Sequence, residues 1–348
     1  MGDTPMSRDD PDGPAAALTR LANGFWAARA VQVAARFGLA DGLRDGPRTP
    51  AELAAATGAH PDALRRLLRA LAGLGVLASD AVGRYRLTPM GELLRGDVPG
   101  SLRDFVARLG EPEYWRAWGA LDHSIATGRS AFEAVFGARL FDHLARYPEA
   151  AARFHAGMGG GSARAAATVV AALGDLGGVG MVVDIGGGHG ALLAAVLRAN
   201  PGAQGVLFEL PQVAEAGCAA LAAAGLAERS RVEAGDFFET VPAGGDLYLM
   251  QRIVHDWDDS EAARLLGNVR AAMPAHARLL LVEAVVPPGD APSRAKMLDL
   301  NMLVLVSGRE RTEEEYRVLL AAAGLALRRV LPATADTDVL EAAPAGGA

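Results

Sequence analysis

The 348-residue chain has a single cysteine, Cys218, and a single lysine, Lys296. One cysteine closes no internal disulfide and builds no thiolate cage for a metal, so a reducing compartment, the cytoplasm, is expected. The scarcity of lysine beside abundant arginine and alanine reads as a bias of genome composition. No apolar run approaches the ~18 residues of a membrane span. The start of the chain, with Asp3, Asp9, Asp10 and Asp12, is acidic and rich in proline and glycine, unlike the basic-then-apolar start of a signal peptide. Excess positive charge is also missing. A net charge of −7 speaks against a nucleic-acid partner, because duplex binding relies on many cationic phosphate contacts. No internal repeat is found. What is present is an ordinary globular balance, 51% hydrophobic and 22% charged, on a chain long enough for two domains.

Residues 1–13 read as a disordered tail, polar and charged. From residue 14 to 100 the pattern is that of a mainly helical winged-helix domain. Thr49-Pro50-Ala51-Glu52 has the form of a helix start, with Thr49 as cap, Pro50 in the first turn and Glu52 three residues on. Pro61 opens another helix, where Leu64, Leu67, Leu68, Leu71 and Leu74 recur at helical spacing. Val76–Ala78 and Tyr85–Leu87 then bracket the turn Ser79-Asp80-Ala81-Val82-Gly83, a two-stranded wing. Residues 101–173 form a helical segment. From residue 174 to the end, apolar strands alternate with helices. Strands are expected near Met181–Ile185, Gln204–Glu209, Arg231–Ala234, Asp246–Met250 and Arg278–Glu283, with a terminal hairpin at Leu325–Leu331 and Asp338–Ala342. This alternation implies a doubly wound α/β sheet, parallel for the most part.

The stretch Asp184-Ile185-Gly186-Gly187-Gly188-His189-Gly190 follows the first of these strands and opens a helix. That is the carboxyl edge of the sheet, where open α/β folds bind ligands. Taken alone, such a loop is often only a tight strand-to-helix turn. Three acids at successive strand ends add to it. Asp184 precedes the loop and suits an ammonium group better than a pyrophosphate. Glu209 ends the next strand, about 20 residues on, where a carboxylate accepts from ribose hydroxyls. Asp236 and Phe237 follow the third strand and offer adenine a carboxylate and an aromatic face. The spacing Gly186, Gly188, Gly190 departs from G-x-G-x-x-G, and it resembles motif I of the class I methyltransferases that use S-adenosylmethionine (SAM).

Methyl transfer from a sulfonium to a hydroxyl needs alignment and a base. His255, in Gln251-Arg252-Ile253-Val254-His255-Asp256-Trp257-Asp258-Asp259, follows the fourth strand, and imidazole titrates near neutrality. The plainer alternative makes His255 an ordinary loop residue. Asp258 and Asp259 are read as caps of the next helix. Glu283, ending the fifth strand, and Glu310, in Gly308-Arg309-Glu310-Arg311-Thr312, are candidate partners for the imidazole. Glu310 has an alternative as a surface partner of Arg309 or Arg311.

The motifs DIGGGHG, FELPQV, GDFF, HDWDD and GRERT, in this order behind a winged-helix front, resemble the plant and bacterial small-molecule O-methyltransferases. The resemblance runs from about Leu21 to Thr334. It implies a Rossmann-like class I methyltransferase sheet behind a winged-helix dimerisation domain, with SAM as cofactor and no metal. It makes His255 the general base and Glu283 and Glu310 its flanking acids. Cofactor contacts map to Ser162, Asp184, Gly186, Gly188, Gly190, Glu209, Asp236 and Phe237. Many relatives carry a lysine where this chain has Gln251, which donates a hydrogen bond but no charge. Phe154, Met158, Asn301 and Met302 fall where relatives line the acceptor pocket, and Asp256 is grouped with them. Ordinary core packing is the alternative for these residues. The aromatics Trp115, Trp118, Phe132, Phe136 and Phe141 suit a flat acceptor, such as a polyketide, quinone or phenazine. The helix around Phe25–Phe37 is expected to build a homodimer. Rival readings are a SAM-sensing DNA-binding regulator, a nicotinamide oxidoreductase, and a family member that methylates nitrogen or carbon or does not methylate. Three arginines on the second wing helix, Arg65, Arg66 and Arg69, are a modest footprint for DNA.

Overall fold

A computed structural model describes residues 13–174, 176–334 and 337–346, without the side chains of 159–164. Most of the expected tail, up to residue 12, lies outside the described residues. The chain forms two compact units. One comprises the chain up to Pro112 with Ala152–Gly160, the other Glu113–Ala151 with Gly161 onward.

In the first unit, helix Pro50–Thr57 begins at a complete capping box. The Thr49 amide donates to Glu52 at 2.7 Å, and the Glu52 amide donates back to the Thr49 hydroxyl at 3.3 Å. Helix Pro61–Gly73 buries Leu64, Leu68 and Leu71 against Leu39, Leu53 and Val76. Its cap is His60, whose Nδ1 accepts from the Ala63 amide at 3.5 Å. Strands β1 (Leu77–Ser79) and β2 (Tyr85–Leu87) pair antiparallel as a wing. Asp80 folds the turn between them by accepting from the Val82 and Arg84 amides. Arg65 and Arg66 are both paired with the one carboxylate of Asp62, and Arg69 lies on the same helix. Leu18, Leu21, Phe25 and Trp26, on helices Pro14–Ala22 and Gly24–Arg36, are exposed by 54–79%. They are not part of this unit's core.

The second unit is built on a seven-stranded sheet. Its strands are β3 (Met181–Ile185), β4 (Gln204–Glu209), β5 (Ser230–Ala234), β6 (Leu247–Gln251), β7 (Arg278–Glu283), β8 (Leu325–Thr334) and β9 (Thr337–Pro344), in the order β5-β4-β3-β6-β7-β9-β8. The first five pair in parallel, and the β8–β9 hairpin adds antiparallel to β7. Strand sequences such as Leu279-Leu280-Leu281-Val282 are apolar on every residue because helices cover both faces. Chain order reverses between β3 and β6, so the crevice at their carboxyl ends is the ligand-binding edge.

Helix Arg294–Val306 escaped the sequence reading. Arg294, Lys296, Asp299 and Asn301 are interspersed among its apolar residues, so it shows no amphipathic period, though Ser293 caps it. Ser130, which caps helix Ala131–Phe136, donates its hydroxyl to the Val304 and Leu305 carbonyls. Its own amide donates to the Ser307 hydroxyl at 2.8 Å. Among the described residues no helix is long and apolar enough to cross a membrane.

Candidate active site

Strands β6 and β7 run side by side, Gln251 opposite Val282, and end together. Beyond β6 the chain turns sharply at Arg252, whose φ of 55° is a left-handed conformation costly for a residue with a Cβ. It then enters the short helical turn Val254–Asp256. The last residue of β7, Glu283, is fully buried and holds this turn. Its Oε1 accepts from the Ile253 and Val254 amides at 3.1 and 2.9 Å.

His255 is thereby brought onto two carboxylates. Its Nδ1 lies 2.7 Å from Glu310 Oε1 and 3.5 Å from Glu283 Oε2, while Nε2 lies 3.5 Å from Asp256 Oδ1. Glu310 is 3% exposed, so it is no surface partner of its neighbouring arginines. It arrives on a segment that crosses the Val254–Asp256 turn backbone to backbone. The Arg309 amide donates to the His255 carbonyl at 2.9 Å, and a Cβ on Gly308 would collide with that same carbonyl oxygen. Only glycine permits this crossing. The preceding Ser307 also has a positive φ, 60°. Asp299 fixes the segment from the other side by accepting from the Glu310 amide.

One residue with a large part in this assembly was not singled out from the sequence. Arg311 is fully buried and joins three pieces of chain. Its guanidinium donates to Asp259 Oδ1 at 2.8 and 3.0 Å, to the Val254 carbonyl at 3.2 Å and to the Trp257 carbonyl at 3.0 Å. Asp258 does cap the following helix, through the Glu261 amide. Asp259 does not share that task and is held by Arg309 and Arg311. The sequence signal was available in GRERT, but an arginine beside a glutamate reads as a local ion pair until the fold separates them.

The electrostatics follow from burial. Burial works against a charge on His255, but Glu283, then Glu310 and Asp256, outweigh it and raise the imidazole to about 10. Burial lifts Glu283 to about 7, with the His255 charge opposing and Glu310 adding to the rise. It lifts Asp256 to about 6. With both glutamates facing Nδ1, that nitrogen carries the proton, and Nε2 is the one left to exchange protons with a ligand.

At the ends of β3 and β4 the chemistry differs. Gly186, Gly188 and Gly190 all have positive φ, 65°, 60° and 74°. A Cβ on Gly186 would meet the Ile253 side chain at 2.6 Å, and one on Gly187 would collide with the Asp184 carboxylate. At Gly188 nothing lies within 4 Å, so the loop is open there for a ligand. Glu209 closes on the loop, accepting from the Gly188 and Leu210 amides at 2.8 Å each. Asp184 is fully buried with no well-formed hydrogen bond to either oxygen, and burial raises it to about 7, only the Leu193 amide opposing. A buried bare carboxylate beside an open glycine loop fits a ligand that brings an ammonium group. Asp236 accepts from the Phe238 amide, and the Phe237 ring packs edge-on against Phe238 and Trp257. Gln251 Nε2 is a buried donor without a partner. These groups fit the amino-acid and nucleoside parts of SAM. The side chain of Ser162 lies outside the described residues.

Of the expected acceptor-side residues, Asp256 stands beside the imidazole. Asn301 accepts from the Trp118 indole at 2.9 Å, and Met302 is buried in the second unit. Phe154 and Met158 belong to the first unit, where Phe154 lies under the Arg108 guanidinium at 5.4 Å.

Residues 19–97 match an O-methyltransferase dimerisation domain and residues 118–326 an O-methyltransferase domain. The chain is 43% identical to a phenazine O-methyltransferase, PhzM, of Lysobacter antibioticus, across 94% of this chain and 95% of the relative. It is 41% identical to an 8-amino-8-demethylriboflavin N,N-dimethyltransferase of Streptomyces davaonensis, across 88% and 89%. Among solved structures, CalO1, a methyltransferase of calicheamicin biosynthesis in its S-adenosylhomocysteine-bound form, matches with a TM-score of 0.83 and 40% identity. That match covers 95% of this chain and 98% of CalO1. With the glycine loop and the buried histidine in place, the chain belongs to the SAM-dependent O-methyltransferases that carry an N-terminal dimerisation domain.

Proposed function

We propose that this enzyme methylates a hydroxyl on a small aromatic secondary metabolite, with His255 taking the hydroxyl proton through Nε2. The observation that carries this reading is the imidazole held by two buried carboxylates on its Nδ1 side, 2.7 and 3.5 Å away. SAM supplies an electrophilic methyl group. Asp184 receives the cofactor's ammonium, Glu209 its ribose, and Asp236, Phe237 and Gln251 its adenine. Glu283 and Glu310 orient His255 and stabilise its charged form. Within the second unit, Asp256, Asn301 and Met302 are the residues offered to the acceptor.

With its pKa near 10, His255 is matched to a phenol, whose unperturbed value is also about 10. Proton exchange between the two is then nearly thermoneutral. An acceptor bound as phenolate against imidazolium holds the same number of protons as phenol against imidazole. The log of kcat/KM should therefore climb with a slope near one over roughly pH 7.5–9. The exposed apolar face of Leu18, Leu21, Phe25 and Trp26 serves a homodimer. Arg65 and Arg66 share the single carboxylate of Asp62, and with Arg69 they make only a modest footprint for DNA.

The test is a panel of phenols, hydroxyquinones and hydroxyphenazines, each beside its amino analogue, with labelled SAM and product analysis. O-methyl products in the wild type that vanish in His255→Ala support the reading. Methylation only of the amino analogues, or turnover indifferent to His255, would overturn it.

A further inference from the structure

We propose that His255, Glu283 and Glu310 also form a binding site for a divalent transition-metal ion of the zinc class, and that the ion inhibits methyl transfer by capturing the base. The inhibition rests on the function proposed above, whereas the binding does not. One ligand atom from each residue can be chosen so that all three lie within 4.8 Å of one another. Two pairs are tighter, Nδ1 at 2.7 Å from Glu310 Oε1 and 3.5 Å from Glu283 Oε2. Donors bound to a tetrahedral zinc ion at about 2.0–2.1 Å stand roughly 3.3 Å apart, so small shifts admit the ion.

The set is also held rigidly. The Ile253 and Val254 amides fix Glu283, Asp299 fixes the Glu310 backbone, and the Arg309 amide fixes that of His255. Two oxygens in it are unsatisfied. Glu283 Oε2, the atom facing His255, and Glu310 Oε2 are buried without hydrogen-bond partners. A bare buried carboxylate oxygen is costly, and a cation between the two relieves both. One imidazole with carboxylates suits zinc or copper(II) better than magnesium or calcium, which prefer oxygen ligands throughout.

The consequence for catalysis follows from the tautomer. Turnover requires a free lone pair on Nε2 and the proton on Nδ1. A metal on Nδ1 displaces that proton and leaves the neutral ring protonated on Nε2, which then accepts nothing. Asp184, Glu209 and the glycine loop take no part, so cofactor binding should be unaffected. Because the ion competes with protons, its affinity should rise with pH.

The experiment titrates zinc chloride calorimetrically into the full-length protein saturated with S-adenosylhomocysteine, at two pH values. Cobalt(II), read by its visible absorption, serves as a second probe. The expected result is one ion per chain, tighter at the higher pH, with methyl transfer inhibited and restored by a chelator. Glu283→Gln/Glu310→Gln should weaken binding by more than the roughly 10–100-fold that loss of an outer-shell partner costs. Retained S-adenosylhomocysteine binding shows that the variant is folded. Cys218→Ser should bind zinc unchanged, because this exposed thiol is not in the set. No binding to the wild type, or equal binding to the double variant, would overturn the site. Binding lost in the double variant, with no methyl transfer to any acceptor, would uphold the site and overturn the proposed function instead.

Discussion

The ends of β3 and β4 and the ends of β6 and β7 lie on one edge of one sheet and are built in opposite ways. At β3–β4 the chain is stripped to backbone. Three glycines hold positive φ, Gly188 faces open space, and the buried carboxylate of Asp184 is left bare. At β6–β7 side chains fill everything. Glu283 ties down the turn, Gly308 lets another segment cross it, and Arg311 bolts the crossing together with four short bonds. The first arrangement leaves room for a ligand that brings its own charge. The second fixes one ring nitrogen so that the other is aimed, and it holds two residues, Arg252 and Ser307, in strained conformations to do so. On the proposed function, binding and proton transfer make different demands on the same sheet edge.

Four experiments break or sharpen this contrast. The largest effect should come from His255→Ala. Turnover should fall by roughly 10²–10⁴-fold while the calorimetric affinity for S-adenosylhomocysteine stays the same, because only the filled side is touched. Loss of both together would mean the two sides are not independent. Next comes Arg311→Ala, which strips the buried carbonyl of Val254 and the half-buried one of Trp257 of their donor. Each bared group should cost about 1–3 kcal/mol in urea denaturation. A change within error would show that water replaces the guanidinium.

A smaller and more diagnostic change is expected from Glu283→Gln. Glu283 is the strongest of the charges that raise His255, so removing it lowers the imidazole pKa. The rising limb of kcat/KM should then move to lower pH, by about one unit or more. A limb that does not move would assign it to another group. The smallest effect is expected at the caps. Thr312→Ala, at the helix that follows Arg311, and Thr49→Ala, in the first unit, each remove a complete capping box and should each cost ~1 kcal/mol. A much larger cost at Thr312 would show that the catalytic segment depends on that helix start.

Much of the fold was legible because local pattern and tertiary role coincide. β3, β4 and β7 begin and end where the apolar runs and their flanking residues place them, and the remaining parallel strands lie within one residue of expectation. Thr49 announces its helix by chemistry confined to one turn. Helix Arg294–Val306 was illegible because its apolar residues recur at no helical period, so the pattern marks no buried face. The capping role expected for Asp259 failed for a related reason. Its partner stands 52 residues away, and no local rule ranks a distant guanidinium against a nearby amide.

The sequence by itself determined the doubly wound sheet, the glycine loop at its carboxyl edge and the succession of acids at the strand ends, since each depends on residues within a few positions of one another. Only the tertiary structure decided that Glu283 and Glu310 meet one imidazole, that Glu310 is buried and not a surface partner of Arg309 or Arg311, and that Arg311 spans the crossing. Those outcomes depend on how β7 and the 308–311 segment converge on the turn after β6. Convergence of distant segments is set by packing of the whole core, and it is there that His255 and Glu283 acquire their raised proton affinities.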